Sequence, residues 1–159
     1  MFALINSTHA GEDFFEPLTI DSLSARLSRD RSYGPDNLFG VTARGRLAAV
    51  AGLWDKGATT ERIEVDLATG LATGSRGTVV VDWGWAPGHD RTFAALLRTL
   101  AAASRKLGRQ TMTICGLRLG AIPDIGLGNH QIALSLYTPT IDPPAEADIS
   151  EVFADLLTI

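Results

Sequence analysis

Asp82 lies inside the apolar run Val79-Val80-Val81-Asp82-Trp83-Gly84-Trp85, where a carboxylate is chemically conspicuous. A charge in such a run has to face solvent, a cleft or a partner group. Two roles fit it: a general base or amine-binding group, or a structural acceptor for a backbone or tryptophan N–H. Shortly after it, Gly88-His89-Asp90-Arg91-Thr92 separates that run from an amphipathic stretch. A strand, a tight turn and a helix start form an arrangement whose unpaired N–H groups hold phosphates well. His89 and Arg91 can face such an anion. Asp90 can instead cap the helix, and its carboxylate would then take those donors and repel the ligand.

Other chemistry is thinly represented. His9, His89 and His130 lack close metal-ligand spacing, so no metal site is expected. Cys115 is the single cysteine; it excludes an intramolecular disulfide, and inside "TMTICG" it reads as a buried, inert thiol. Neither a nucleophile elbow nor a P-loop is present. With 159 residues, 45% hydrophobic and 20% charged, the chain reads as one globular domain. A net charge of −4 argues against a broad nucleic-acid surface. The apolar runs are too short to span a membrane. The N-terminus carries no signal-peptide pattern, so a cytoplasmic location is expected.

The elements that must position these residues follow from periodicity and punctuation. "PLTIDSLSARLSRD" reads as a helix capped by Thr19, with Ile20, Leu23 and Leu27 on one face, ended by Gly34, Pro35 and Asn37. "LFGVTARGRLAAVAGLWD" reads as two strands around Arg44-Gly45-Arg46, the glycine supplying a positive φ. In "TERIEVDLA", Ile63, Val65 and Leu67 alternate with Arg62, Glu64 and Asp66, the pattern of a half-solvated strand. "TGLATGSRG" reads as a flexible connection, and "TVVVDWGW" as a central strand covered on both faces. Asp55 starts a turn. Trp83 and Trp85, two apart on a strand, point the same way, as a ligand wall or as packing against helices.

From Thr92 to Leu107 the period is helical, with Phe93, Leu96, Leu97, Leu100, Ser104 and Leu107 on one face and Gly108 placed as a left-handed cap. "QTMTICG" then reads as a second buried strand, making a parallel, right-handed crossover. "HQIALSLYT" and "SEVFADLLTI" read as closing strands.

This order, together with "LINSTHAGEDFFEPLTIDSLSARL", "RGRLAAVAGLWD", "VVVDWGWAPG" and "PP…VFADLL", resembles a bacterial subgroup of the GNAT (GCN5-related N-acetyltransferase) superfamily. The resemblance implies an α/β (α+β) fold: a mixed, mostly antiparallel twisted sheet, helices on both faces, and splayed central parallel strands. It implies a single domain over residues 1–159. Met1 falls where the resemblance expects the first helix to be already under way, so the family's first strand is expected to be absent: either another region supplies it, or the chain is one half of a tandem GNAT pair. The implied activity is transfer of an acetyl group from acetyl-CoA to an amine of a small-molecule or peptide acceptor. The alternative is a degenerate, non-catalytic structural or partner-binding module, as a homodimer or paired with a second GNAT domain.

In the family, acetyl-CoA lies where the fourth and fifth strands part, its pantetheine arm on the fourth strand and its diphosphate on the following helix start. That assigns cofactor-binding roles to Trp83, Trp85, Gly88, His89, Asp90, Arg91 and Thr92, and a catalytic role to Asp82. The family's arginine position holds Gly88, and its two glycine positions hold Arg91 and Phe93. A ring at Phe93 is expected to crowd a diphosphate. The family's tyrosine after the fifth strand has no counterpart, since Tyr33 and Tyr137 lie elsewhere.

Overall fold

The computed structural model describes residues 1–12, 15–29 and 32–114. Two helices come first, α1 (Phe2–Thr8) and α2 (Ile20–Arg29). They are followed by strands β1 (Leu38–Ala43), β2 (Arg46–Trp54), β3 (Arg62–Val65), β4 (Ala72–Ser75) and β5 (Gly77–Trp85). Helix α3 (Asp90–Lys106) and strand β6 (Thr111–Ile114) complete the described chain. The closing strands expected after Ile114, Cys115, His130 and Tyr137 lie outside the described residues.

The main sheet runs β1-β2-β5-β6. Its first two pairings are antiparallel, and β5–β6 is parallel through α3, so the domain is mixed α+β with a mostly antiparallel sheet. From Ala49 to Leu53, β2 alternates between two faces. Ala49, Ala51 and Leu53 pack with Phe93, Leu96, Leu97 and Leu100 of α3. Val50 packs with Ile5 of α1 and Leu23 of α2. Helices therefore cover both faces. β5 lies between β2 and β6 and is buried through Trp83, as its apolar run predicts. The expected parting of β5 from β6 would fall beyond the Val80–Ile114 pair, outside the described register.

Local signals hold where the chemistry is local. Ser22 N–H donates to Thr19 Oγ1 at 3.1 Å and Thr19 N–H donates to Ser22 Oγ at 2.8 Å, a reciprocal box that starts α2. After α3, Gly108 (φ 73°) lets its N–H reach Arg105 O and the Arg109 N–H reach Ser104 O. This is the Schellman pattern. In the β1–β2 turn both Arg44 (φ 52°) and Gly45 (φ 75°) are left-handed, so the turn is of type I′ rather than one hinging on the glycine alone.

Two expectations are corrected. Ile20 is 67% exposed; the packed side of α2 is Leu23, with Arg26 and Leu27 half-buried. The glycine-rich stretch after Leu67 is not a loose connection: β4 pairs with β3, and the two form a separate two-stranded sheet between β2 and β5. "TERIEVDLA" does contain a strand, β3, but as one arm of this hairpin it is exposed at Arg62, Ile63 and Val65 alike rather than half-solvated.

Candidate functional site

The β2–β5 register breaks once. Gly52 lies opposite Val81 and Val50 opposite Gly84, which leaves Asp82 and Trp83 facing Ala51. The extra residue is a bulge, and Asp82 carries it with φ 49°. Strict alternation would have put Asp82 on the α3 face with Val80. The bulge keeps it on the face of Val81 and turns Trp83 and then Trp85 toward α3.

Asp82 is buried, and its carboxylate is held on both oxygens. Arg26 Nη1 donates to Oδ1 at 2.8 Å and the Tyr33 hydroxyl donates to Oδ2 at 2.9 Å. An arginine and a tyrosine side chain thus serve as its structural partners, where a backbone or tryptophan N–H was expected from sequence. Gly52 makes room for this: a Cβ there would lie on the Tyr33 hydroxyl. Arg26 had one sequence signal, a charge three residues after Leu23 on the packed side of a helix. Tyr33, far in sequence and just before Gly34-Pro35, had none.

Trp83 and Trp85 share a face as expected, with ring centroids 5.8 Å apart, and both stack on Phe93, at 5.7 and 4.6 Å. They are packing against α3, not an open wall. Phe93 is fully buried in that stack, so its ring does not crowd the outside of the loop, contrary to expectation. Asp90 is the first residue of α3 and does not cap it; Trp85 Nε1 donates to its Oδ1 at 3.0 Å.

The loop itself is a tight turn. His89 N–H donates to Ala86 O, Pro87 leads, and Gly88 (φ 77°) supplies the left-handed residue of a type II turn. His89 is the N-cap residue, its Nδ1 3.4 Å from Thr92 Oγ1. Arg91 is exposed and Thr92 half-buried. Among the described residues no side chain caps α3, so the N–H groups of its first turn remain open at the positive end of a 17-residue helix.

The edge of β5 is less open. Ala86 N–H donates to Ala48 O, so alternation turns the Trp85 N–H and C=O away from β2. The Trp85 N–H donates to Thr8 Oγ1 at 3.0 Å, and Trp83 O bonds His9 Nε2 at 3.0 Å. His9 Nδ1 is 2.7 Å from Glu12 Oε2, so both ring nitrogens meet acceptors. Gly84 lets α1 come this close: a Cβ there would lie 2.9 Å from Ile5 Cα and 3.0 Å from Leu4 O. Thr8 and His9 were not singled out for this edge by the sequence.

An acyl-CoA tested against these groups fits in part. The open α3 start, the Gly88 turn and Arg91 suit a diphosphate. The backbone groups of Trp83 and Trp85 already have partners on α1, so they do not suit an extended amide arm. Asp55, read as a turn starter, makes a bidentate pair with Arg109 (2.7 and 2.9 Å), which raises the guanidinium above its ordinary range. Among the described residues no cluster of His, Cys, Asp or Glu could hold a metal ion, and no helix is long and apolar enough to cross a membrane. Comparison of the chain with protein-family models, with curated proteins and with solved structures finds no match in any of the three.

Proposed function

We propose that this chain is a GNAT-like N-acetyltransferase domain that moves an acetyl group from acetyl-CoA to an amine of a small-molecule or peptide acceptor. The observation that carries the reading is the start of α3. It directly follows the central strand of a β1-β2-β5-β6 sheet, is uncapped, and is preceded by an open glycine turn. Three N–H groups, of Asp90, Arg91 and Thr92, would hold a diphosphate, with the Arg91 guanidinium and the His89 ring flanking it. Asp90 keeps a negative charge nearby, but its carboxylate is turned to the Trp85 indole.

Bound acetyl-CoA supplies an activated acyl group that an amine attacks directly, releasing the thiol. The chain's part in this is orientation more than proton transfer. Asp82 is engaged by Arg26 and Tyr33, which supports a role in shaping the bulge beside the site over one as a mobile base.

Isothermal titration with CoA and acetyl-CoA tests the binding, and thiol release in the presence of a panel of amines tests the transfer. Ligand at roughly 100 times its Kd raises stability by about 2.7 kcal/mol, which a thermal shift reads. No shift at millimolar CoA overturns the proposal. A second reading, a non-catalytic GNAT-like module, is favoured by the pairing of the Trp85 amide with Thr8. Binding of CoA without thiol release for any amine would support it.

A further inference from the structure

His9 is a buried titratable side chain that the proposed transfer does not use. It stands at the C-terminal end of α1, and its side chain is 1% exposed. Nδ1 lies 2.7 Å from Glu12 Oε2, and Nε2 lies 3.0 Å from Trp83 O. A carboxylate and a carbonyl both accept, so each ring nitrogen has to carry a hydrogen, which makes the ring an imidazolium. The other way to fill both contacts puts the proton on Glu12, which then donates to Nδ1. Either way the pair holds one proton more than a neutral ring beside an ionised carboxylate.

The local chain is folded to make this contact. The Glu12 N–H donates to His9 O at 3.0 Å, and Gly11 (φ 91°) supplies the left-handed residue that brings Glu12 back to the ring. The Trp83 ring meets the imidazole edge-on at 4.1 Å between centroids, and Phe15 lies 5.1 Å away. Among the described residues in contact with the ring, Glu12 is the titratable one. The charges nearest along β5 and from α2, Asp82 and Arg26, are turned to each other.

We propose that His9 and Glu12 form a pH-sensitive latch, which clamps α1 to the end of β5 while the pair keeps its proton and releases it as pH rises. A neutral ring beside an ionised Glu12 has one N–H for two acceptors. It leaves Trp83 O without a donor or sets its own lone pair against the carboxylate, and both are costly in a buried site. The closed form needs this proton and the open form does not, so removing protons from solution favours the open one. With seven residues, α1 is too short to persist on propensity and depends on such contacts. The latch guards a strand edge. Thr8, beside His9, accepts from the Trp85 N–H at 3.0 Å, so release bares this N–H together with the Trp83 carbonyl. This inference stands whether or not the domain binds CoA.

Amide hydrogen exchange on the full chain from about pH 5.5 to pH 8.5 tests it, each rate being divided by its intrinsic value. Protection of the residue 9 and Trp85 amides should fall roughly tenfold or more as pH rises, while that of Leu97 in α3 stays level. His9→Gln, whose neutral amide still donates to Trp83 O, should lose this pH dependence. Glu12→Gln should move the opening to lower pH, because the carboxylate no longer favours the charged ring. Wild-type protection that stays level over the range overturns the proposal. An unchanged pH dependence in His9→Gln, or an opening unmoved by Glu12→Gln, overturns it equally.

Discussion

Arg26 Nη1 donates to Asp82 Oδ1 at 2.8 Å, tying the middle of α2 to the bulge residue of β5. The side chains are 17% and 3% exposed, so this is a largely buried pair whose loss from one side leaves a stranded charge. Asp82→Ala should cost about 3–5 kcal/mol in urea denaturation. Asp82→Asn should cost less, because asparagine tolerates the left-handed backbone and still accepts hydrogen bonds. Equal losses from the two variants would show that the charge, and not the conformation, is what matters at this position.

Gly52 faces Tyr33, and Gly52→Ala puts a methyl where the Tyr33 hydroxyl lies. The variant should lose about 1–3 kcal/mol through overpacking. The hydroxyl would also be pushed off Asp82, so the losses in Gly52→Ala and Tyr33→Phe should be less than additive. Full additivity in a double-mutant cycle would separate the two effects.

Phe93 stands where the family resemblance puts a glycine and its ring is expected to crowd a diphosphate, so a glycine there would favour CoA. Its burial against Trp83 and Trp85 predicts the opposite outcome. Phe93→Ala should lose about 3–5 kcal/mol with no gain in CoA affinity, and Phe93→Gly more, in the interior of a helix. Calorimetric titration of a still-folded variant checks the affinity.

Thr8→Val keeps the shape of Thr8 but leaves the Trp85 N–H without its acceptor. The expected cost is about 1–3 kcal/mol. If the arm of an acyl-CoA uses that N–H, the variant should bind CoA more tightly than the wild type. Unchanged affinity in both would place any arm elsewhere.

The hairpin tip should respond to acid. The N–H groups of Thr69 and then Ala68 hold the Asp66 carboxyl below its ordinary value, so its folded value is depressed relative to the unfolded chain. The stabilisation of the turn is then complete above the ordinary aspartate range and lost as pH falls through the lower folded value. Protection of the Ala68 and Thr69 amides, relative to their intrinsic exchange rates, should be lost in that acid window. Asp66→Ala should show that loss of protection at every pH.

Much of the fold was legible because its signals are short-range. The Thr19 cap, the Gly108 terminus, the turn at Arg44-Gly45 and the buried face of α3 each depend on residues within about one or two turns. The burial of β5 was equally readable, from an unbroken apolar run. Of the site, the sequence singled out Asp82 and the loop from Gly88 to Thr92 but mistook the work of Asp90 and Phe93. Asp90 has a capping residue's chemistry but stands one position inside the helix, and a tryptophan five residues earlier takes its carboxylate through a contact that no pattern announces.

By itself, then, the sequence determined α2, α3 and the four strands of the main sheet, though not β4, and which residue types stand at the end of β5. Tertiary structure alone decided which way those residues point. A single extra residue at Asp82 exchanges the faces of everything after it, because side chains alternate along a strand with a period of two. That shift sends Trp83 and Trp85 to α3 and Asp82 to Arg26 and Tyr33, partners 56 and 49 residues away.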